Sequence, residues 1–308
     1  MTISEADIEE TALAQLEKLG FQCVKGTEIG PDSGENAERR SHGDVILRNR
    51  FEQALRNINP QLPEHVFEDV CRRVYNAETP SLVEENRRLH TLMTEGVSVE
   101  VMRDDGSIAG ETAQLFDFDF EDGEKTRNDL LAVQQFTVIE NGYERRPDIV
   151  LFVNGLPLVV IELKDPTREE ASLDKAWQQI ANYTEQIPAL FRTNALNVIA
   201  DGLSARAGSL TADLNWYLPW RSMDGEHIVP KEQAGMATLA QGLLAPSRLL
   251  DVMRGFTVFE ERGHGLTKII AGYHQYFAAK KAVDSTVRAA HDSGNGRAGV
   301  IWHTQGSG

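Results

Sequence analysis

Apolar residues near the beginning of the chain recur three or four positions apart: Ile8, Ala12, Leu16 and Leu19. This spacing predicts an amphipathic helix over residues 4–19 that begins at Ser4 and ends before Gly20. The polar stretch 26–40 is rich in Gly, Asp and Glu and predicts a loop. Helical spacing returns over residues 41–92, so the first third of the chain is predicted to be mainly helical.

In the middle of the chain the pattern changes to a two-residue period. Residues 97–102 and 114–120 alternate between apolar and polar positions, which predicts two half-buried strands. The aromatic residues of the second strand share one face: Phe116, Phe118 and Phe120. We prefer this interpretation to a metal cluster built from the aspartates between them. Residues 131–139 are rich in β-branched and apolar residues and predict a core strand.

Two further apolar runs, residues 148–153 and 158–164, are joined at Asn154-Gly155. This dipeptide is a strong signal for a β-hairpin. A helix is predicted next over residues 167–186, with a capping-box pattern in its first turn, and a short apolar run follows it. Adjacent strands with helices before and after them predict an α/β fold with a mixed sheet flanked by helices.

After residue 221 the chain becomes polar and richer in Gly and Pro, which indicates a domain boundary. We predict a first domain over residues 1–230, a linker over 231–250 and a second domain that opens at 251 and continues to 308. Residues 243–290 show mostly helical spacing.

The strand predicted over residues 158–164 carries two charged residues in an otherwise apolar run. Glu162 and Lys164 are two positions apart, so their side chains share one face, while Leu163 faces a core. Burying a carboxylate and an ammonium is costly unless they have partners. With Asp148 and the Leu163 carbonyl, Glu162 would supply the oxygen ligands that Mg²⁺ prefers. Lys164 would orient the attacking water of a phosphodiester hydrolysis and stabilise the developing negative charge.

The hairpin register decides whether the two carboxylates meet. A two-residue turn at Asn154 and Gly155 would place Asp148 opposite Ile161, with Glu162 on the wrong face. A three-residue loop over Asn154 to Leu156, or an equivalent bulge with Gly in the left-handed conformation, pairs residue 153 with residue 157 and so pairs Asp148 with Glu162. We therefore expect an odd effective loop length; strict two-residue pairing without a bulge would contradict the site.

Pro147-Asp148 followed by Glu162-x-Lys164 resembles the motif of the PD-(D/E)xK nuclease superfamily. On the next helix, Gln179 and Tyr183 are four positions apart and share one face. This pair resembles an element of the branch that contains RecB-like nucleases and the restriction (R) subunits of type I restriction-modification enzymes. The wider sequence is similar to the R subunit in several stretches: Glu9 to Phe21, Asn128 to Leu131, Gln135-Phe136, Pro147 to Pro166, Asp201-Gly202 and Ala207 to Ser209.

The resemblance implies a restriction-endonuclease-like fold and Mg²⁺-dependent hydrolysis of double-stranded, unmodified foreign DNA. It also implies partner subunits for methylation (M) and specificity (S). The catalytic residues implied are Asp148, Glu162, Lys164, Gln179 and Tyr183, with the metal on Asp148, Glu162 and the Leu163 carbonyl. Glu9 is a further candidate, since a helix carboxylate reaches the site in related nucleases; stabilisation of the helix dipole is an equal alternative. Arg145 and Arg146 are candidates for DNA phosphate contacts.

A second resemblance lies at the end of the chain, where residues 298–302 predict a short strand before a Gly-rich turn. Such turns cradle phosphates with backbone N–H groups, and this one is similar to motif I of superfamily 2 helicases. The resemblance implies the start of a RecA-like motor lobe that stops within the Walker A loop. ATP is therefore expected as a cofactor of the full-length subunit only, and we expect no ATP hydrolysis by this chain. The nucleotide-binding residues implied are Gln275, Thr304, Gly306, Ser307 and Gly308.

Composition and net charge indicate the cellular compartment and the DNA affinity to expect. The 308 residues contain 41% hydrophobic residues and only two cysteines, Cys23 and Cys71, without metal-like spacing. They fit a protein of the reducing cytoplasm, and no signal peptide or apolar run indicates a membrane. The net charge of −16 disfavours an extended phosphate-binding surface. We therefore expect tight DNA binding to come from other sequence or from partner subunits.

Three alternatives remain open at this point. Glu162 and Lys164 would form an ordinary surface ion pair if their strand lay at a sheet edge, with Gln179 and Tyr183 as ordinary helix residues. The domain would be a catalytically silent DNA-binding module if Glu162 and Lys164 were kept for structure. A stand-alone repair nuclease-helicase of the RecB-like branch is the third alternative, and its preference for free DNA ends would distinguish it.

Overall fold

A computed structural model describes residues 5–302 except 104, 122, 165–172, 202, 264, 292 and 295. The helices in this part of the chain are α1 (Glu5–Lys18), α2 (Arg48–Ile58), α3 (Glu64–Tyr75), α4 (Leu82–Glu95), α5 (Leu173–Gln186), α6 (Met236–Leu239), α7 (Pro246–Gly255) and α8 (Tyr273–Ala290). The strands are β1 (Gln22–Lys25), β2 (Val97–Met102), β3 (Ile108–Ala113), β4 (Leu130–Gln134), β5 (Val138–Glu140), β6 (Tyr143–Arg145), β7 (Ile149–Val153), β8 (Leu156–Leu163), β9 (Leu196–Ala200), β10 (Ala205–Gly208), β11 (Thr257–Arg262) and β12 (Gly265–Ile270).

Six of the strands form one mixed sheet in the order β1-β4-β7-β8-β9-β10, which confirms the predicted α/β class. β7 and β8 lie at its centre and pair antiparallel, whereas β8 and β9 are parallel. One face packs against α1, α2 and α3, and the other packs against α5 and the 3-10 helix Pro188–Phe191. Because both faces are covered, every residue of β7, β8 and β9 is buried. Glu162 is therefore an ionisable residue in a mostly apolar layer, which also contains the buried Asn197 of β9.

The β7–β8 hairpin turns at Asn154 and Gly155, which both have left-handed φ angles, 53° and 72°. This is the geometry of a two-residue type I′ turn, and Val153 pairs directly with Leu156. The Asn154 side chain is buried, and its amide donates to the Leu115 carbonyl at 2.9 Å. The three-residue loop, one of the two predicted alternatives, is therefore wrong.

The register nevertheless shifts by one residue within the hairpin. Leu151 pairs with Val159 rather than with Leu158, which is the extra residue of a β-bulge. Continued along the two strands, this register places Asp148 opposite Glu162. The predicted odd register is therefore confirmed, although the extra residue is Leu158 inside β8 and not part of a bulge at Gly155.

Gly155 is expected to be a sensitive position because the turn is packed against α2. A Cβ at this residue would lie 2.4 Å from the Leu47 carbonyl oxygen. Gly155→Ala should lower the free energy of unfolding by roughly 2–4 kcal/mol, from steric overlap and left-handed strain together. Gly142→Ala is the matched control: its φ is +79° but no atom lies within 4 Å of the added Cβ, so about 1 kcal/mol of strain is expected. Urea unfolding measures both, and equal losses would contradict the packing argument.

Residues 114–120, predicted as a strand, are irregular. Asp117 is buried and its carboxylate accepts hydrogen bonds from the backbone N–H groups of Asp119 and Arg127. The backbone of this segment is thus partly satisfied by a side chain rather than by a neighbouring strand. The partner of β2 is β3, which ends immediately before the segment.

The core strand predicted over residues 131–139 is divided into β4 and β5. Gln135, directly after β4, has a left-handed φ of 56°, which a regular strand does not accommodate. β5 leaves the central sheet and pairs with β6 in a separate hairpin. The prediction of a single continuous strand is therefore wrong.

The largely helical segment predicted over residues 243–290 contains a hairpin, β11–β12, between α7 and α8. Residues 298–302, predicted as a strand, are irregular in the described part of the chain. The predicted helix over 167–186 is observed as α5, and its predicted first turn lies outside the described residues. The hairpin and the irregular segment differ from the prediction because the spacing of apolar residues in a short β-branched run does not show whether another strand will pair with it.

The segment that precedes α8 packs on the first helix of the chain. Leu239, Leu243 and Leu250 share one apolar core with Ile8 and Ala12 of α1. The boundaries predicted at 1–230, 231–250 and 251–308 stay a prediction. None of the helices in the described residues combines the length and the hydrophobicity that a membrane span requires.

Candidate active site

The hairpin brings Asp148, Glu162 and Lys164 together at the end of the two central strands. One Asp148 carboxylate oxygen, Oδ2, accepts a hydrogen bond from the backbone N–H of Leu163 at 2.7 Å. The Lys164 Nζ donates to Glu162 Oε1 at 2.6 Å. The backbone N–H of Lys164 donates to the Ala200 carbonyl of β9, so the lysine is held by the sheet itself.

Glu162 is fully buried, with 0% of its surface exposed. Its second carboxylate oxygen, Oε2, has no hydrogen-bond partner among the described residues. Burial and the nearby Asp148 carboxylate raise the pKa of Glu162 to about 8, against the opposing effect of Lys164. The surface ion pair on an edge strand is therefore wrong as an explanation, because β8 lies between β7 and β9, Glu162 is fully buried and Lys164 is only 15% exposed.

This arrangement suits a divalent cation with oxygen ligands. Asp148 is 8% exposed, and it adds a second carboxylate beside the unsatisfied Glu162 oxygen. Among the described residues, no group of three or more His, Cys, Asp or Glu side chains is arranged to hold a metal. Two carboxylates and the Leu163 carbonyl would leave several ligand positions to water or phosphate, which is typical of Mg²⁺ sites. The residues present therefore fit the predicted cation.

Helix α5 covers the site from one face of the sheet. The Gln179 side-chain amide donates to the Tyr183 hydroxyl at 2.6 Å. Tyr183 is buried, and its pKa is raised above the ordinary value by burial first and by the Glu162 carboxylate second. The phenol therefore stays neutral near the buried carboxylate. The helical spacing of Gln179 and Tyr183 does bring the two residues into contact with each other next to Glu162.

Glu9 approaches the same site from α1. It is 7% exposed, and its two carboxylate oxygens accept hydrogen bonds from the side-chain amides of Gln134 and Gln135 at 2.7 and 2.9 Å. The Gln135 amide nitrogen also lies 3.3 Å from Asp148 Oδ1. Glu9 is thus linked to Asp148 through a single amide group.

The contacts of Gln134 and Gln135 with Glu9 were not predicted from the sequence, although Gln135 lies in one of the stretches similar to the R subunit. Gln134 and Gln135 end an apolar strand with two consecutive polar side chains. This pattern was the available signal, but it does not distinguish a loop from a binding site. Their common partner Glu9 lies far away in the sequence.

The remaining predicted residues lie apart from this cluster or outside the described residues. Arg145 donates from Nε to the Gln186 side chain at the end of α5, at 2.6 Å, and Arg146 is exposed. The Gln275 side chain accepts a hydrogen bond from the backbone N–H of Gly272 at the start of α8. The residues predicted in the phosphate-binding turn lie outside the described part of the chain: Thr304, Gly306, Ser307 and Gly308.

A family model described as the N terminus of the type I restriction enzyme R protein matches residues 2–216. A second model, the SWI2/SNF2 ATPase, matches residues 274–308. The first match covers most of the chain, so the chain belongs to the family of type I restriction enzyme R protein N-terminal regions. The predicted membership in this endonuclease subunit family is confirmed.

Several curated relatives are similar over nearly the whole chain. The HindI endonuclease subunit of a type I restriction enzyme from Haemophilus influenzae is 38% identical over 99% of this chain and 29% of its own length. The putative MjaIXP endonuclease subunit from Methanocaldococcus jannaschii is 29% identical over 98% of this chain and 30% of its own length. A third relative, from Staphylococcus aureus strain COL, is 24% identical over 99% of the chain and 29% of its own length. The chain therefore spans less than a third of the length of these relatives.

Proposed function

We propose that this chain is the Mg²⁺-dependent endonuclease region of a type I restriction enzyme, and that it hydrolyses phosphodiester bonds of double-stranded DNA. The observation that carries the proposal is the buried Glu162 carboxylate, which lies close to Asp148 and the Lys164 ammonium and whose Oε2 has no hydrogen-bond partner among the described residues. Natural proteins rarely leave a buried carboxylate oxygen without a partner. We further propose a restriction-endonuclease-like fold for the sheet and a RecA-like motor lobe that begins near residue 251.

In this proposal Asp148, Glu162 and the Leu163 carbonyl would hold the cation. When bound, the cation would neutralise charge at the phosphate and lower the pKa of the attacking water. Lys164 is held 2.6 Å from Glu162, where its ammonium would orient that water and stabilise negative charge on the phosphate. Gln179 and Tyr183 form a wall of the site and limit the movement of the Glu162 carboxylate. Arg145 and Arg146 are proposed to contact DNA phosphates.

The wider activity of the enzyme is proposed from the family. We propose that the full-length subunit translocates unmodified foreign DNA with ATP and works with methylation and specificity subunits. Gln275 would contribute to the nucleotide site of that motor. With a net charge of −16, this chain alone should bind DNA weakly. Tight binding in a mobility-shift experiment at low salt would contradict this part of the proposal.

The proposal is tested by incubating supercoiled plasmid with this chain and Mg²⁺ or Mn²⁺. Asp148→Asn should reduce the rate of nicking at least about 100-fold, because it removes a negative ligand. Its amide oxygen can still accept from the Leu163 N–H, whereas the amide nitrogen cannot accept from Gln135. Glu185→Gln is the matched control: it neutralises an exposed acid on α5 and should cut like the wild type.

Calorimetric titration with Mn²⁺ completes this test. Binding by the wild type that Asp148→Asn abolishes would support the proposed site even if cutting requires partner subunits. A wild type that neither binds Mn²⁺ nor nicks DNA would favour the catalytically silent module. Preference for linear over closed circular DNA would favour the RecB-like repair enzyme.

A further inference from the structure

Two consecutive glutamines at the end of β4 bind one carboxylate. Gln134 and Gln135 donate to the two oxygens of Glu9 at 2.7 and 2.9 Å. Consecutive side chains of a regular strand point to opposite faces of the sheet. Here they converge because Gln135 has a left-handed φ of 56°. The left-handed backbone of Gln135 is therefore what allows both glutamines to bind the Glu9 carboxylate.

This backbone conformation has an energetic cost. A residue with a side chain loses about 1–2 kcal/mol in the left-handed region, and such residues cluster at functional sites. The neighbouring backbone packs closely against Gln135 in this conformation, since a Cβ on Gly26 would lie 2.4 Å from the Gln135 carbonyl oxygen. The backbone N–H of Gln135 also donates to the Asp148 carbonyl at 2.8 Å. The residue is thus fixed to the segment that carries the candidate metal ligand.

The side chain of Gln135 completes this connection. Its Nε2 lies 2.9 Å from Glu9 Oε1 and 3.3 Å from Asp148 Oδ1. An ionised carboxylate only accepts hydrogen bonds, so Glu9 fixes which end of the amide faces Asp148. Asp148 Oδ2 is already bound to the Leu163 N–H at 2.7 Å. With a donor on each oxygen, the plane of the Asp148 carboxylate is fixed.

We propose that Gln135 is a positioning residue for the metal site, and that Glu9 acts through it by orienting its amide. This inference rests on the proposed function, because it concerns the affinity of that site for its cation. Gln135 donates to both Glu9 and Asp148, and the Asp148 carboxylate lies close to that of Glu162. Without the Gln135 amide, the Asp148 carboxylate would turn and no longer share a cation with Glu162.

The test compares two glutamine variants of the same length. Gln135→Met keeps the unbranched chain and the backbone strain but removes the donor to Asp148. We expect it to weaken Mn²⁺ binding by about tenfold in calorimetry, the size typical for partners that orient metal ligands. Gln134→Met is the control: it removes a donor to Glu9 only, and its Mn²⁺ affinity should stay within about twofold of wild type. Gln135→Gly, which also relieves the strain, should match Gln135→Met in affinity without loss of stability in urea.

The outcomes separate this inference from the proposed function. A wild type that binds Mn²⁺ together with a Gln135→Met variant of equal affinity would overturn the positioning role and leave the metal site in place. An equal loss in Gln134→Met would assign the effect to Glu9 rather than to Asp148, and would also overturn it. Failure of the wild type to bind Mn²⁺ would overturn the metal site and the positioning role together.

Discussion

Glu162→Gln is expected to stabilise the metal-free protein while it abolishes Mn²⁺ binding and DNA cleavage. The wild-type carboxylate is 0% exposed, and burial together with Asp148 raises its pKa to about 8. Glutamine has the same shape without the charge, and its amide oxygen can still accept from Lys164. The gain in the free energy of unfolding at pH 8.5 should be on the order of 2–4 kcal/mol. Cleavage should fall by about 100-fold or more, since a metal ligand loses its charge.

The sign of this effect follows from proton binding. The unfolded glutamate titrates near pH 4.3 and the folded one near pH 8, so between these values the folded chain holds the extra proton. The contribution of Glu162 to stability is therefore fully present below about pH 4 and is lost as the pH rises to about 8. Urea unfolding with a chelator at pH 5 and pH 8.5 measures it. A variant no more stable than wild type at pH 8.5 would contradict the argument, and the exposed Glu185→Gln should show no such difference.

The hairpin shows which part of the site a sequence can predict. The need for Asp148 and Glu162 to share a face dictated an odd register shift, and the structure has one. Its position could not be predicted, because the carbonyl of the extra residue Leu158 is bound by Asn194 and Ala195. Those partners come from the connection between α5 and β9. The chemistry thus specifies the register, while tertiary contacts specify where the extra residue lies.

The conformation of Gln135 is a part of the site that the sequence could not predict. Local propensity favours a continuous strand over residues 131–139, and the strand is broken by bonds to Glu9 and Asp148. One partner lies in the first helix and the other at the start of β7. Sheet propensity is weak compared with such contacts. The motif residues were found because the resemblance preserves their spacing. Gln135 also lies in a stretch similar to the R subunit, but neither that stretch nor the strand pattern indicates its contacts with Glu9 and Asp148.

Lys268 lies in the β11–β12 hairpin, which helical spacing did not predict. It is 1% exposed, and its Nζ donates to the Asn194 carbonyl at 2.6 Å and to Asn86 Oδ1 at 3.1 Å. Among the described residues these partners are neutral. Ser209 and Thr211 bind the backbone of the same lysine. One buried residue thus fastens the hairpin before α8 to α4 and to the segment after the edge strand β10.

Lys268→Met is expected to stabilise the protein at neutral and mildly acidic pH. Burial lowers the pKa of Lys268 to about 7, well below the unfolded value near 10.4. Between these values the unfolded chain holds the extra proton, so the wild type gains stability as the pH rises from about 7 to about 10. Methionine fills the same space without a charge to bury. At pH 6 the variant should be more stable by about 2–4 kcal/mol, and near pH 10 this advantage should vanish.

Urea unfolding of both proteins at pH 6, 8 and 9.5 measures this effect. The difference between their free energies of unfolding cancels the contributions of the titratable groups that both proteins contain. His90 faces the same region from α4, but burial and Lys268 lower its pKa to about 3, so it stays neutral throughout this range. Lys125→Met is the control for loss of a positive charge at an exposed site, and its stability relative to wild type should not depend on pH. A Lys268→Met protein that is less stable than wild type at pH 6 would mean that the two hydrogen bonds outweigh the cost of burying the ammonium. The lysine would then be a net stabilising link between the hairpin and the sheet.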